Sequence, residues 1–245
     1  MYSYVINLCY DGRCFSGYQV QPCARTVGAE VLRALTGLFG SVTALSGCSR
    51  TDSGVHALSY YASFKAGKHL QPEVVVRALN ATLPRDIAVK NCRFTDGGFH
   101  ARYSVKRKEY IYRIWTNPVR SPFHEGYTWF FGHDIDTGLL NRAAEKLLGT
   151  HDFRAFMSSG SDIKDTVRTV YSARFERCGD EVVFRICADG FLYNMIRIIV
   201  GTMILVQRGR LLPEDIPAVI ESRDRNQAGP TAPPDGLYLA EVYYD

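Results

Sequence analysis

Hydrophobic and polar residues alternate along some stretches of the chain and recur at helical spacing along others. Seven short stretches alternate and are rich in β-branched or aromatic residues, which predicts strands. They span residues 2–10, 41–47, 57–65, 107–116, 169–178, 181–188 and 236–245. Four longer stretches carry apolar residues at helical spacing and are bounded by glycine or proline, which predicts helices. They span residues 27–40, 73–83, 136–149 and 191–209.

The order of these elements indicates two similar halves, which we place at residues 1–104 and 105–245. The two predicted strands on either side of Gly179-Asp180 are joined by a dipeptide typical of hairpin turns. Strands paired through hairpins favour an α+β fold with an antiparallel sheet over a doubly wound parallel sheet. We therefore predict the α+β class.

The composition is that of a globular protein with a full core. Hydrophobic residues make up 46% of the 245 positions and charged residues 22%, which excludes a disordered chain. The formal net charge of +4 is mildly basic and compatible with a polyanionic partner such as a nucleic acid.

Several classes of site lack their usual sequence signals. The seven cysteines form no CxxC pair, so we expect free thiols in a reducing cytoplasm rather than a disulfide framework or a zinc site. The six histidines form no metal-binding cluster, and His56 is interpreted as a structural hydrogen-bonding residue. No phosphate-binding glycine loop occurs, which predicts no nucleotide cofactor. Nothing at the N-terminus resembles a signal peptide, and the longest apolar run is short for a membrane span. No membrane role is expected.

The stretch GCSRTDSGVHAL, residues 47–58, gathers charged residues among small, turn-forming neighbours. One interpretation is a turn, because Asp52-Ser53-Gly54 is favourable turn chemistry. The other is a reactive site, because Arg50 shares a face with Asp52 in an extended segment. A carboxylate held near a guanidinium stays ionised and suits a nucleophile or a base.

The predicted helix 191–209 carries a polar stripe on an otherwise apolar surface. Asn194, Arg197, Gly201 and Arg208 follow one another at spacings of three, four and seven. An arginine buried without a partner would cost several kcal/mol, so we expect Arg197 to meet a carboxylate, with Asp52 as a candidate. The alternative is an arginine at the helix margin whose guanidinium extends into solvent.

Basic and aromatic residues interleave along FHARYSVKRKEYIYRI, residues 99–114. Arg102, Lys106 and Arg107 would hold phosphates, and tyrosines such as Tyr110 would stack on bases. The alternative is an edge strand whose charges serve solubility, with a tyrosine in the core.

These stretches together resemble the tRNA pseudouridine synthase A family. Residues 47–58 resemble its RTDxGVHA signature, and further blocks follow in the family's order at residues 10–21, 80–89, 99–112, 149–156, 168–170, 191–201 and 236–244. The resemblance covers essentially the whole chain. Departures are conservative: Cys48, Ser49 and Ser53 stand beside the key aspartate where the family often has alanine or glycine, and Tyr18 replaces a common tryptophan.

The resemblance implies an isomerase that converts uridine to pseudouridine at positions 38, 39 and 40 of the tRNA anticodon arm. The enzyme flips the uridine out, breaks its N1 glycosidic bond, turns the ring and rejoins it through C5. By this resemblance Asp52 is the catalytic aspartate, a nucleophile if it attacks C1′ or C6 and a base if it deprotonates C2′. Tyr110 packs on the uracil and takes part in proton transfer, Arg197 pairs with the aspartate, and Arg50 assists base flipping.

The resemblance also implies a fold, an assembly and a location. It predicts two α+β halves that share a continuous, mainly antiparallel sheet with helices packed on it and the active-site cleft between the halves. It predicts a cytoplasmic homodimer that binds tRNA across both subunits, with Tyr110 and Arg50 in contact with the target uridine. The further RNA contacts expected from the interleaved basic segment are Arg102, Lys106 and Arg107. No cofactor and no metal are expected, because isomerisation requires neither a redox change nor an energy input.

Two other functions are weighed against this one. A catalytically silent RNA-binding protein of the same fold would keep the basic surface but tolerate the loss of Asp52. An aspartic protease is suggested by two D-[ST]-G triplets, residues 52–54 and 136–138. Their flanking residues are not the apolar strand residues of that class, and Asp136 stands where a helix N-cap is expected.

Overall fold

The computed structural model describes residues 1–160 and 163–245 and confirms the α+β class. The strands are β1 (Tyr2–Tyr10), β2 (Val42–Gly47), β3 (His56–Ala66), β4 (Ile87–Phe94), β5 (Arg107–Trp115), β6 (Trp129–Phe130), β7 (Gly149–Asp152), β8 (Val167–Cys178), β9 (Glu181–Ala188) and β10 (Leu237–Tyr243). The helices are α1 (Val27–Phe39), α2 (Pro72–Thr82), α3 (Thr137–Glu145), α4 (Met195–Gln207) and α5 (Ile216–Ser222).

The chain divides into two compact units. Unit 1 comprises Met1–Lys106 together with Tyr238–Asp245, and unit 2 comprises Arg107–Leu237. Most of β10 therefore belongs with the N-terminal strands, although it lies at the other end of the sequence.

In unit 1 the strands lie in the order β4-β1-β3-β10, and β2 also pairs with β3. The β1–β3, β1–β4 and β2–β3 pairs are antiparallel, whereas β10 runs parallel to β3. Helix α1 begins at the Thr26 N-cap, whose side chain accepts a hydrogen bond from the Ala29 amide. The apolar positions of α1 and α2 that recur at helical spacing, among them Val31, Leu35 and Leu79, are fully buried.

In unit 2 the strands lie in the order β5-β9-β8-β7, all antiparallel, with the two-residue β6 parallel to β5. The predicted hairpin between β8 and β9 turns at Gly179, which adopts a φ of +62° as such a turn requires. Helix α4 is buried along most of its length, in keeping with its apolar sequence.

Two predicted helix boundaries were wrong. The helix expected over residues 136–149 ends at Glu145, because the next three amides donate to carbonyls three residues back and tighten the chain into turns before β7. The helix expected from residue 191 begins at Met195, because Asn194 is in the left-handed region with a φ of 59°. Strands β4, β6 and β7 and helix α5 were not predicted.

Within the described ranges, no helix is both long enough and apolar enough to span a bilayer. The seven cysteines are free thiols.

Candidate active site

The Asp52 motif forms a loop in unit 1 that joins β2 to β3 and rests on the segment after β1. The Tyr18 amide donates to the Thr51 carbonyl at 3.2 Å, and the Gly54 amide donates to the Phe15 carbonyl at 3.2 Å. The Val55 amide donates back to the Asp52 carbonyl at 3.2 Å and closes a turn. The turn chemistry in the sequence therefore forms, and backbone bonds on both sides hold Asp52.

Two glycines allow this close approach of the segment after β1. A Cβ on Gly17 would lie 2.4 Å from the Thr51 carbonyl oxygen, and Gly17 also has a φ of +82°. A Cβ on Gly12 would lie 2.1 Å from the Val55 carbonyl oxygen. Any larger residue would push the Asp52 loop away from its support. The YDG block and the RTD block are thus parts of one local structure.

Three buried tyrosines support the same loop from the core of unit 1. The Tyr60 hydroxyl donates to the Ser49 carbonyl, and the Tyr10 and Thr51 hydroxyls are 2.7 Å apart in a hydrogen bond. Tyr18 stacks on Tyr60 with ring centroids 4.3 Å apart. Burial raises the pKa of both stacked tyrosines well above the usual value, so both stay neutral and Tyr60 keeps the proton that it donates to Ser49. The backbone on the N-terminal side of Asp52 is therefore fixed.

The side chains of the motif differ in exposure. Asp52 is half-buried, Thr51 is buried and Arg50 is exposed. Cys48, one of the departures from the family pattern, is fully buried and bonds to the backbone of Tyr61 through both its amide and its thiol. The substitution at position 48 is therefore a core change.

His56 has the structural role expected for it. Its Nδ1 accepts a hydrogen bond from the Gly12 amide at 3.1 Å, and its ring stacks on Tyr238 with centroids 4.5 Å apart. The residue is buried. It thus links β3 to the turn after β1 and to β10.

The basic segment of unit 1 exposes an aromatic ring. Tyr103 is 77% exposed, with the His100 ring 4.4 Å from its own and the Arg102 guanidinium 5.7 Å from its centroid. Lys106 is exposed near the end of this segment, and Arg107 is exposed at the start of β5 in unit 2. Cations around an exposed ring suit phosphates and stacked bases.

Tyr110 and Tyr112 lie on the same face of β5, as predicted, and both are buried in unit 2. Tyr110 meets the Phe191 ring edge to face at 5.1 Å. The Tyr112 hydroxyl donates to the Pro233 carbonyl at 2.7 Å, and burial raises the pKa of Tyr112 well above its usual value. Tyr112 is therefore a satisfied core residue.

Arg197 is half-buried on α4 and has two neutral partners in unit 2. Its Nε donates to the Ala232 carbonyl at 2.7 Å, and its Nη1 donates to Asn194 Oδ1 at 2.8 Å. Asn194 in turn donates from Nδ2 to Ser158 Oγ at 3.0 Å. These bonds fix the direction of the guanidinium. The pairing of Arg197 with Asp52 stays a prediction.

The rest of the predicted polar stripe has other environments. Gly201 is buried where the backbone of the 229–230 segment crosses α4, and a Cβ there would lie 1.7 Å from the Pro230 carbonyl oxygen. Arg208 is exposed at the end of α4, with its guanidinium 5.6 Å from the Phe131 ring centroid. The stripe is therefore not a single polar face.

Asp136, the second aspartate of a D-[ST]-G triplet, caps a helix. It is exposed, and its Oδ1 accepts a hydrogen bond from the Leu139 amide at 2.9 Å at the start of α3. An exposed capping carboxylate is not placed as a protease dyad requires.

Comparison with known proteins identifies close relatives. A family model described as tRNA pseudouridine synthase matches residues 143–245. The chain is 46% identical to tRNA pseudouridine synthase A of Acetivibrio thermocellus, over 96% of each chain. It is 42% identical to the proteins of the same name from Lacticaseibacillus casei, over 100% of each chain, and Bacillus subtilis, over 98% of each. Among solved structures, a Cbf5–Nop10–Gar1 complex aligns with a TM-score of 0.44 and 15% identity over 83% of this chain and 44% of that one. At that level it says nothing about activity.

Proposed function

Since the chain belongs to the tRNA pseudouridine synthase A family, we propose that it isomerises uridine to pseudouridine at positions 38, 39 and 40 of the tRNA anticodon arm. The observation that carries this proposal is the Asp52 loop, in which a half-buried carboxylate stands on a backbone held by Gly12, Gly17 and the buried tyrosines. A group that reacts with a flipped nucleotide needs such a fixed position.

Asp52 serves as the nucleophile in this proposal. The bond between N1 of uracil and C1′ of the ribose breaks, and a bond between C5 and C1′ replaces it. The hydrogen on C5 leaves as a proton, and N1 gains one. Substrate and product have the same composition, so the reaction consumes no oxidant, reductant or co-substrate. Extraction of the base from the stack costs a few kcal/mol, which contacts in the site recover.

Arg197 and the exposed cations have binding roles. Two neutral hydrogen bonds direct the Arg197 guanidinium, and we propose that it pairs with the Asp52 carboxylate. Arg50 is exposed beside Asp52, where it would assist base flipping. Arg102, Lys106 and Arg107 would contact the RNA backbone, with Tyr103 as a stacking platform.

Replacing Tyr110 with phenylalanine is expected to slow the chemical step by roughly 10²-fold without weakening tRNA binding, because proton transfer loses its hydroxyl while the ring remains. The matched control is Tyr112→Phe, on the same face of the same strand, which loses a bond to Pro233. That control should cost about 1 kcal/mol of stability and leave the rate unchanged. Single-turnover rates and thermal melts of both variants make the comparison. An equal rate loss in both would remove Tyr110 from the chemistry.

We propose a homodimer in the cytoplasm, because two subunits pool the positive charge of a mildly basic chain against a large RNA. Light scattering of the purified protein should give twice the mass of the chain. A monomeric mass both alone and with bound tRNA would contradict the dimer.

The sites of modification are tested with tRNA transcripts that keep one uridine among positions 38, 39 and 40 and carry cytidine at the other two. Pseudouridine should form in each transcript and not in one that lacks all three uridines.

Tight binding of every transcript without formation of pseudouridine would indicate the silent RNA-binding protein instead. Cleavage of a peptide at acidic pH, inhibited by a statine-type compound, would indicate the protease.

A further inference from the structure

Unit 2 contains an open pocket of about 440 Å³ that none of the roles above uses. Its polar side chains are Ser158, Ser159, Arg225 and Asn226, and residues 228–230 also line it. None of the described residues that line it is acidic. A pocket with one cation, two hydroxyls and an amide suits an anionic ligand.

Arg225 has no carboxylate partner among the described residues of unit 2. Its Nη1 donates to the Ala228 carbonyl and its Nη2 to Thr231 Oγ1, both at 3.3 Å, and both acceptors are neutral. Burial lowers the pKa of Arg225, and no carboxylate in residues 1–160 or 163–245 raises it again. The neighbouring Arg223, by contrast, forms an ion pair with Asp152 at 2.9 Å. The Arg225 guanidinium is thus held in place with N–H groups left for a ligand.

The two serines offer hydroxyl donors beside this cation. Ser158 Oγ accepts a hydrogen bond from Asn194 Nδ2, which leaves its own hydroxyl hydrogen to donate into the pocket. Ser159 is exposed at the rim. The nearest carboxylate in sequence, Asp224, does not line the pocket and accepts bonds from the amide and the side chain of Asn226.

The pocket is directly connected to Arg197. Asn194 bonds to Ser158 in the pocket wall and to Arg197 at the same time. Ala232, just beyond the other wall, accepts from Arg197 Nε and donates its amide to the Arg197 carbonyl at 3.1 Å. An anion in the pocket would therefore be separated from Arg197, the proposed partner of Asp52, by a single residue, Asn194.

We propose that this pocket binds a backbone phosphate of the substrate RNA near the target uridine, with Arg225 as its cation and Ser158 and Ser159 as hydroxyl donors. The proposal rests on the proposed function, which supplies a polyanionic substrate. Guanidinium groups recognise phosphate oxygens through paired, charge-assisted hydrogen bonds. Residues 225–230 would then bind the RNA strand, while Arg197, on the other side of this protein segment, would pair with Asp52.

The test compares Arg225→Gln with Arg223→Gln. Within residues 1–160 and 163–245, Arg223 is paired with a carboxylate and Arg225 is not. Affinity for tRNA is measured over a range of salt concentrations. Arg225→Gln should weaken binding roughly tenfold and reduce the slope of log affinity against log salt by about one, the value for one lost phosphate contact. Arg223→Gln should leave the slope unchanged. Equal slopes for wild type and Arg225→Gln, or equal losses in the two variants, would overturn the proposal.

A second pair of variants tests the pocket without changing Arg225 or its hydrogen bonds, so it also serves if Arg225→Gln does not fold. Ser159→Asp places a negative charge at the pocket rim, and Ser159→Asn is its neutral match in size. The aspartate should weaken tRNA binding several-fold relative to the asparagine; equal affinities would contradict a phosphate site. Pseudouridine formation by wild type is measured separately. If wild type binds tRNA without modifying it, the proposed function fails, and the salt slopes still decide the pocket.

Discussion

Replacing Asp52 with asparagine is expected to reduce pseudouridine formation by at least about 10³-fold, the scale typical of a lost nucleophile. The side chain keeps its size, and the loop keeps its supports, since the bonds from Tyr10, Tyr18 and Tyr60 go to Thr51 and Ser49 rather than to the carboxylate. Binding of tRNA should therefore persist, and the change should appear in the chemical step alone.

The matched control is Asp96→Asn, which removes a negative charge from an exposed turn of the same unit. Asp96 Oδ1 accepts a hydrogen bond from the Phe99 amide, and an asparagine oxygen retains that bond. Single-turnover rates are measured by chromatography of the nucleosides from digested tRNA, and tRNA affinity is measured in parallel. A rate for Asp52→Asn within tenfold of wild type, or a comparable loss in Asp96→Asn, would move the chemistry away from Asp52.

Among glycine-to-alanine changes in unit 2, Gly201→Ala is expected to be the most destabilising. It should lower the free energy of unfolding by roughly 3 kcal/mol or more. The added Cβ would lie 1.7 Å from the Pro230 carbonyl oxygen. The partner surface cannot retreat easily, because it is backbone, and the Gly229 amide donates to Thr202 Oγ1 at 2.8 Å. The crossing also positions Ala232, which binds Arg197, so activity should fall as well.

The control is another glycine-to-alanine change inside a helix. Gly37 lies in α1 with no atom within 4 Å of an added Cβ, so Gly37→Ala should stabilise the protein by about 0.5–1 kcal/mol through helix propensity. Denaturant unfolding of both variants measures the two effects, which should have opposite signs. If Gly201→Ala were as stable as wild type, the close contact between α4 and residues 229–230 would be contradicted.

Most elements could be predicted from local pattern, because alternation and helical spacing are local properties. The hairpin at Gly179-Asp180 and helices α1 and α2 are examples. The end of α3 could not be predicted, since apolar residues continue at helical spacing up to Gly149, whereas the backbone tightens into turns directly after Glu145. Strand β4 was not predicted, and its outer half, NCRF, is mostly exposed.

Part of the candidate site could be predicted from the sequence, because some of its features also depend on local pattern. The turn at Asp52 and the burial around Arg197 leave local signals, in turn residues and in flanking isoleucines. The bond from Arg197 to Asn194 could not be predicted, because it depends on the left-handed backbone of Asn194 at the N-cap of α4. The pairing of Arg197 with Asp52 stays a prediction.

Other features of the site depend on contacts between distant parts of the sequence. Nothing in the sequence around Gly12 and Gly17 indicates that the Asp52 loop packs against these two glycines. Gly201 was assigned to a polar stripe, although its role is to let another segment cross the helix. Arg225 lies in a polar stretch like many others, and its lack of a carboxylate partner among the described residues is a property of the folded unit alone.

Tritium release from tRNA carrying 5-³H-uridine tests the proposed isomerisation most directly, because formation of the new bond at C5 expels that hydrogen. Wild type and Asp52→Ala are compared side by side, with tRNA binding measured for both. We predict release by wild type in proportion to the pseudouridine formed, and none by the variant while it still binds tRNA. No release by wild type despite tight binding, or equal release by both proteins, would contradict the proposed function or the role of Asp52, respectively.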